Sequence, residues 1–265
     1  MNALIDLEES KKIQLDILSN VDSFCRKKNI KYSIGYGTLL GAVRHNGFIP
    51  WDDDIDICML REDYNRFIRE YSKADTGIYK LIFGPNNLLP FAKVYDKRTV
   101  LIHRNAKTRR MGVFIDIFPL DVASKNINCF KRDKKEIKFY KFVVNSKIEK
   151  FRPDKSLSRN LWLMVCKIVF SIISLRFIIN QWLKSLSKRN NENSFFVADN
   201  VAGLFKNPVA RNVFEEIIDY DFEGKKFWGV KDADLVLKNI YGDYMQLPPI
   251  SERCPKHEYK AYWDI

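Results

Sequence analysis

Apolar residues recur at the spacing of an amphipathic helix in two early stretches of the chain. Over residues 3–29, Leu7, Ile17 and Val21 stand among charged residues, and a basic run closes the stretch. Over residues 61–71 the same spacing is kept by aromatic and aliphatic side chains. We predict a helix in each stretch and expect the first to pack on a sheet as a lid.

Strand-like runs come next along the chain. Residues 79–83, 91–95 and 100–103 are short apolar runs separated by glycine, proline, asparagine and aspartate, which favour turns. Residues 112–119, GVFIDIFP, alternate between two faces. We predict that these runs build a mixed β-sheet.

Beyond residue 195 the pattern predicts two helices and one short strand. The first helix covers residues 209–218 and the strand covers 226–228. The second helix is opened by Asp232 and closed by Tyr241 and Gly242, which are typical capping positions.

Residues 161–179 form a long apolar segment that Lys167 and Arg176 interrupt. On an insertion scale its aliphatic and phenylalanine side chains contribute roughly −6 kcal/mol, whereas the two cations cost roughly +5 to +7 kcal/mol. Because the sum is near zero, we predict a buried or interfacial helix rather than a transmembrane span.

Composition narrows the partners of the chain without fixing its chemistry. The 265 residues carry a net charge of +12, which favours anionic partners. Residues 125–155 hold eleven lysines and arginines against four acids, so this run is either a solvated face or a surface that meets an anionic membrane. Five scattered cysteines and an acidic start predict a cytoplasmic protein without a zinc site or a secretion signal.

Candidate chemistry begins with two acids in a strand-like run. In a β-strand alternate residues share a face, so Asp54 and Asp56 point one way while Ile55 and Ile57 pack inward. Neighbouring carboxylates repel unless a cation lies between them, and oxygen ligands suit Mg²⁺ or Mn²⁺. A metal site is one interpretation, and a solvated acidic turn is the other.

A glycine turn precedes these acids. Residues 35–38, GYGT, end a strand-like run and open a short apolar helix, with Thr38 as its expected N-cap and Gly47 just past its end. Backbone N–H groups at such a helix start suit a phosphate. A phosphate beside a metal would explain why the turn and the acids are adjacent.

A third acid and a lysine lie in the predicted sheet. Asp116 shares a strand face with aromatic residues, and because a buried acid is costly alone it should have a cation partner. Asp121 could replace Asp116 as a site residue, although we expect it to begin a turn. Lys93 lies between aromatic residues of another run, where it either contacts a phosphate or extends to solvent.

The run from Gly37 to Ile57, GTLLGAVRHNGFIPWDDDIDI, resembles the LicD family of phosphocholine transferases, a branch of the nucleotidyltransferase superfamily. Looser similarities follow at residues 91–93, 114–121 and 241–245. The resemblance implies an α+β fold: a nucleotidyltransferase-like mixed β-sheet flanked by helices, with a helical insert and a helical C-terminal segment. We expect a catalytic core at 1–124, the insert at 125–195, and a C-terminal segment at 196–265 that completes the site.

The resemblance also implies a reaction and its participants. LicD-like proteins move a phosphoalcohol, most often phosphocholine, from a CDP-alcohol to a sugar of a surface glycan such as teichoic acid or lipopolysaccharide, and release CMP. The acceptor is expected to be lipid-linked, so we expect a protein on the inner face of the cell membrane, with no nucleic-acid partner. The resemblance assigns metal binding and catalysis to Asp54, Asp56 and Asp116. It assigns substrate binding to Gly37, Thr38, Arg44, Trp51, Lys93 and His257.

Some roles stay open at the level of sequence. Arg44 either neutralises phosphate or fixes the turn before Trp51. A quaternary ammonium group would need an aromatic cage, for which the candidates are Tyr36, Trp51, Tyr95, Trp228 and Tyr244. Two other functions use the same features: transfer of a nucleotidyl group from an NTP, and non-catalytic binding of an anionic ligand or membrane through the basic run.

Overall fold

The computed structural model describes residues 3–103, 111–152, 154–192, 194–255 and 259–264. Within them the chain adopts the expected α+β fold, built from helices and mixed sheets. Two short strands and two helices come first: β1 (Leu4–Ile5), α1 (Leu7–Lys28), β2 (Ser33–Ile34) and α2 (Tyr36–His45). They are followed by β3 (Asp56–Leu60), α3 (Arg61–Tyr71), β4 (Tyr79–Gly84), β5 (Leu89–Asp96), β6 (Thr99–His103) and β7 (Phe114–Val122).

The second half of the chain begins with three helices and ends mainly in strands. The helices are α4 (Ile127–Ile148), α5 (Leu157–Val169) and α6 (Leu175–Ser187). After them come β8 (Phe196–Ala198), β9 (Val209–Ala210), β10 (Ile217–Phe222), β11 (Lys225–Val230), α7 (Ala233–Tyr241) and β12 (Tyr259–Trp263).

Helix α1 confirms the first expected helix and packs on β5 and β7. Asp6 caps its start by accepting a hydrogen bond from the Glu9 N–H, and Asn29 ends it in the left-handed region. Ile17 and Val21 are fully buried, as the apolar spacing predicts. The helix therefore covers one face of the sheet.

Strand β7 lies at the centre of the main sheet, whose order is β2-β3-β7-β5-β4. It pairs in parallel with β3 and antiparallel with β5, so the sheet is mixed as expected. All nine residues of β7 are buried, because helices pack against it as well as strands. The short strands β8 and β9 extend the sheet from the far end of β7.

Two further β-structures complete the fold. Strand β6 was expected to join the main sheet but instead forms a three-stranded sheet in the order β1-β12-β6. Strands β10 and β11 form an antiparallel hairpin. The three-stranded sheet brings β12, the last described strand, back against the start of the chain.

The segment 161–179 is not one helix, contrary to our expectation. Helix α5 ends at Val169, and α6 starts after Ser174, whose hydroxyl accepts a hydrogen bond from the Phe177 N–H at 3.1 Å. Among the described residues no helix is both long and apolar enough to cross a membrane. Ion pairs from Lys188 and Arg189 to the buried Asp133 hold the end of α6 against α4.

The helix expected at 209–218 is also wrong. Val209 instead pairs with Val197 as part of β9, and Ile217 begins β10. Strand pairing with the neighbouring segments β8 and β11 outweighs the local helical spacing here. The later helix is confirmed: Asp232 accepts a hydrogen bond from the Leu235 N–H at 3.1 Å, and Gly242 follows the last residue of α7.

Candidate active site

Asp56 and Asp116 lie side by side on neighbouring parallel strands. They are direct partners in the register of β3 and β7, and the ladder continues one residue upstream, where the Asp116 N–H donates to the Ile55 carbonyl at 2.9 Å. Ile55 and Ile57 are buried, so they pack inward as the alternation predicts. Asp54 lies just before β3, two residues from Asp56 and half-buried like it. The structure thus brings the three acids singled out from sequence to one place.

Negative charge is crowded around Asp56. Burial raises the pKa of Asp56 well above its usual range, and the charges of Asp54, Asp116 and Asp52 raise it further, while Lys93 acts in the opposite direction. Asp53 belongs to the same acidic turn: one oxygen each from Asp52, Asp53 and Asp54 lie within 4.8 Å of one another. The alternation rule did not single out Asp52 or Asp53, although both are adjacent in the sequence.

Lys93 is the cation partner that Asp116 was expected to have. Both residues are 8% exposed, and the Lys93 ammonium group forms an ion pair and hydrogen bond with the Asp116 carboxylate. The same ammonium group lies 3.6 Å from the centre of the Phe114 ring and 4.9 Å from that of Phe91. Lys93 therefore does not extend to solvent; its ammonium group neutralises part of the acid cluster, and its contact with a substrate phosphate stays a prediction.

Thr38 contacts the acid strand and does not cap α2. The cap is Gly35, and Thr38 lies inside the first turn, where its buried hydroxyl accepts a hydrogen bond from the Asp56 N–H at 2.9 Å. The Gly35 N–H donates to the Asp56 carbonyl at 2.9 Å. These two bonds fix the start of α2 beside β3, so the expected neighbourhood of turn and acids is present although the cap assignment was wrong.

Gly37 allows a close approach of the Asp52 side chain. A Cβ atom at this position would lie 2.4 Å from the Asp52 carboxylate, which would have to shift to make room. The preceding residue, Tyr36, has a φ of +46°, a left-handed conformation that is costly for a tyrosine. At the other end of α2 the left-handed residue is Asn46, with Gly47 directly after it. The strained first turn thus faces the acidic turn directly.

Arg44 connects α2 to the C-terminal segment. Its guanidinium donates to the Tyr244 carbonyl at 2.6 Å and to the ring of His45 at 3.0 Å. Burial, followed by the nearby charge of Arg253, lowers the pKa of Arg44. The Arg253 guanidinium lies 5.3 Å from the centre of the Trp51 ring. Arg253 thus lies beside Trp51 and near enough to Arg44 for their charges to interact, an arrangement that suits an anion.

Two tyrosines from the C-terminal part also reach the acids. Burial, then the charges of Asp56, Asp52 and Asp54, raises the pKa of Tyr241, although the side chain as a whole is 40% exposed. Burial and then the charge of Asp53 raise the pKa of Tyr259, whose hydroxyl lies 3.4 Å from the Asp53 carbonyl.

Sequence reasoning did not assign Tyr241, Arg253 or Tyr259 to the site. For Tyr241 a signal was present, because it opens one of the family-like runs. For Arg253 and Tyr259 the sequence offered none. His257, which we had assigned to substrate binding, lies outside the described residues.

Asp121 lies away from the acid cluster and inside β7, not in a turn as expected. It is fully buried, accepts two hydrogen bonds of 2.7 Å from the Arg61 guanidinium, and accepts a third of 2.7 Å from the Asn190 amide. Its carboxylate thus ties α3 and the chain after α6 to the sheet. Asp116, and not Asp121, is the acid next to Asp56.

The aromatic cage candidates do not form one cluster. Tyr36 is buried in the core against Phe118, and Trp228 packs on Tyr32 and the Arg26 guanidinium. The Tyr244 hydroxyl donates a hydrogen bond to Asp234, and the Tyr244 backbone carbonyl accepts one from Arg44. Trp51 is half-buried beside Arg253 and is the candidate that lies next to the acidic turn.

The donor set fits a divalent cation. Its side chains offer carboxylate oxygens, which are the ligands that Mg²⁺ and Mn²⁺ prefer. The raised pKa of Asp56 reflects burial first and then like charges that Lys93 offsets only in part. Positive charge placed among Asp54, Asp56 and Asp116 would relieve this repulsion.

Comparison with known proteins gives the same assignment as the sequence motif. Residues 29–151 match the family described as LicD/FKTN/FKRP, nucleotidyltransferase domain. The chain is 29% identical over 274 residues to the lipopolysaccharide cholinephosphotransferase LicD of Haemophilus influenzae, covering 97% of this chain and 98% of that protein. An uncharacterized protein of Rickettsia typhi is 31% identical over 121 residues, covering 45% of this chain and 38% of its own length. An uncharacterized protein of Rickettsia prowazekii is 53% identical over 47 residues, 18% of each chain.

Proposed function

We propose, because residues 29–151 match the nucleotidyltransferase domain of the LicD family, that this chain transfers a phosphoalcohol, for which we choose phosphocholine, from a CDP-alcohol to a sugar hydroxyl. The acceptor in this proposal is a cell-surface glycan or its lipid-linked precursor, and CMP is the leaving product. The name of the Haemophilus relative supports the choice of phosphocholine and of a glycan such as lipopolysaccharide over teichoic acid.

One observation carries the proposal: Asp56 and Asp116 are direct neighbours in a parallel ladder, with Asp54 two residues upstream. Burial and like charge make the ionised form of Asp56 unfavourable, which is a cost to the fold. Such a cost at a partly exposed cluster is typical of a functional site, because a structural role would be served by neutral residues.

Asp54, Asp56 and Asp116 would hold Mg²⁺ or Mn²⁺. When bound, the metal supplies charge stabilisation for the phosphate oxygens and for the leaving CMP. We assign to Asp116 the role of accepting the proton of the attacking sugar hydroxyl. As the hydroxyl oxygen attacks phosphorus and the bond to the CMP oxygen breaks, the hydroxyl proton passes to the Asp116 carboxylate. Lys93 holds that carboxylate in position through their ion pair.

The diphosphate of the donor would be bound from two sides. On one side lies the first turn of α2 at Gly37 and Thr38, whose N–H groups are not used within the helix. On the other side lie Arg44 and Arg253, whose like charges are brought together at a cost that an anion would repay. Trp51 next to Arg253 is placed to stack on the base or to contact the alcohol.

A second candidate reaction is nucleotidyl transfer, in which NMP moves from an NTP to an acceptor. The name of the matched domain, nucleotidyltransferase, favours it, and the same carboxylates would serve it. The two reactions differ in their products, because nucleotidyl transfer from an NTP releases pyrophosphate and phosphoalcohol transfer releases CMP. For either reaction we propose that the protein works in the cytoplasm, and at the inner face of the cell membrane if the acceptor is lipid-linked.

The test is a donor panel with the purified protein. CDP-choline, CDP-ethanolamine, CDP-glycerol, CDP-ribitol and the four NTPs are each supplied with Mg²⁺ and a crude lipid-linked glycan fraction, and both CMP and pyrophosphate are measured. We expect CMP from one CDP-alcohol, none from the others and none with EDTA. Pyrophosphate from an NTP would replace the first reaction by the second, and neither product with a competent acceptor would contradict both.

A further inference from the structure

Helix α5 carries most of its apolar side chains on the outside. Six of them form what we call the outer face of α5: Leu157, Leu161, Trp162, Val165, Ile168 and, just beyond the helix end, Ile172. Their spacing follows one side of a helix, and they are between 45% and 91% exposed. Large apolar side chains clustered at this exposure mark an interaction surface on a protein, whereas single ones do not.

The charged residues of α5 are turned to the opposite side. The Lys167 ammonium group donates to the Lys147 carbonyl at 3.0 Å, at the end of α4. The Lys147 ammonium group in turn donates to the Phe170 carbonyl, and the Arg159 guanidinium pairs with Glu149. Lys167, which argued against membrane insertion at the level of sequence, is therefore held away from the outer face by its contacts with α4.

Positive charge is concentrated in the part of the chain that contains this face. Residues 125–192 contain 17 lysines and arginines against 5 acids, a net charge of +12 that equals the net charge of the whole chain. Lys155 and Arg176, next to the two ends of the face, are exposed. The rest of the chain is neutral overall, so both the apolar surface and the excess charge are concentrated in one segment.

We propose that the outer face of α5 lies in the headgroup region of an anionic lipid bilayer. The occupant is set by charge: a second copy of this chain would bring two strongly cationic segments together, whereas an anionic lipid surface is complementary to them. A helix of 13 residues is about 20 Å long, short of the roughly 30 Å of a bilayer core, so it lies along the surface. This inference rests on the surface of α5 and not on the proposed reaction.

Vesicle binding by the full chain tests the inference. Vesicles of phosphatidylcholine, with and without phosphatidylglycerol, are sedimented with the protein at low and high NaCl. We expect binding only with phosphatidylglycerol present and weaker binding at high salt. The variant Trp162→Glu/Ile168→Glu should bind on the order of 100-fold more weakly, because two inserted side chains become charged.

The matched control is Leu4→Glu/Ile102→Glu. These two side chains are 59% and 58% exposed, close to the 61% and 64% of Trp162 and Ile168, but they lie on β1 and β6. The control adds the same charge and should bind vesicles far better than the α5 variant. Thermal melting of both variants checks that each remains folded.

Trp162 also reports on depth. Lipids brominated near the headgroup should quench part of the tryptophan emission of the wild type, and Trp162→Phe should remove that part. Wild-type protein that does not bind anionic vesicles, or a folded α5 variant that binds as well as its control, would overturn the proposal. So would a wild-type dimer that the α5 variant converts to monomer without any change in vesicle binding. None of these outcomes bears on CMP release with a detergent-solubilised acceptor. The proposed reaction is therefore tested separately from the membrane contact.

Discussion

Replacing Asp121 by asparagine should destabilise the protein without removing its chemistry. The Asp121 carboxylate is fully buried and the Arg61 side chain is 16% exposed, so the variant leaves a mostly buried guanidinium without its countercharge. Breaking a buried ion pair in this way costs about 3–5 kcal/mol. For a chain of this size each kcal/mol lowers the melting temperature by about 2–4 °C, so the expected loss is roughly 6–20 °C.

The assay is thermal melting together with turnover measured well below the melting temperature. The matched control is Asp221→Asn, because Asp221 also pairs with a cation, Lys226, but is 66% exposed; its stability should change by no more than about 0.5 kcal/mol. Asp116→Asn should show the reverse behaviour, with lost turnover in a folded protein. If Asp121→Asn melts like the wild type but has no activity, then Asp121 is the third acid of the site and our assignment is wrong.

Three further predictions concern the site itself. Lys93→Met should lower kcat by on the order of 100-fold while donor binding changes little, as steady-state kinetics would show; an unchanged kcat would contradict the role of Lys93. Gly37→Ala should displace the Asp52 carboxylate and raise the KM for the donor, and a KM equal to that of the wild type would refute the close approach. Asp56→Asn should raise the melting temperature in EDTA, because the raised pKa of Asp56 means that its ionised form costs stability at neutral pH. Added Mg²⁺ should then raise the melting temperature of the wild type more than that of the variant. Equal increases in the two proteins would argue against metal binding by Asp56.

The acids could be found from sequence because their arrangement is local. The alternation of apolar and acidic residues around Asp54 and Asp56, and around Asp116, reflects strands with one buried face. That a cation would accompany Asp116 followed from the cost of burying a lone carboxylate, and the structure supplies Lys93 as that cation. The pairing of β3 with β7, which makes Asp56 and Asp116 neighbours, was not predicted from the sequence and is seen in the structure.

The C-terminal half of the site could not be predicted in this way. Tyr259 reaches the acidic turn because β12 pairs with β1 and β6, strands separated from it by more than 150 residues. Nothing in the sequence around residue 259 indicates those partners. The mistaken helix at 209–218 has a different cause, because Val209 is held by pairing with the nearby strand β8.

The break between α5 and α6 had a local signal that hydropathy concealed. Ser174 within the apolar run is a favourable N-cap, and the structure uses it as one. The outward orientation of α5 had no such signal, because an apolar helix face looks the same in sequence whether it meets the core or a membrane. Only the exposed fractions of its side chains reveal it.

The most direct test of the proposed chemistry is Mg²⁺-dependent CMP release by the wild type and by Asp54→Asn/Asp56→Asn, with both proteins shown to be folded by circular dichroism. We predict turnover by the wild type that EDTA abolishes and Mg²⁺ restores, and no turnover by the double variant at any Mg²⁺ concentration. A folded double variant that releases CMP at the wild-type rate would contradict the assignment of these acids to the reaction.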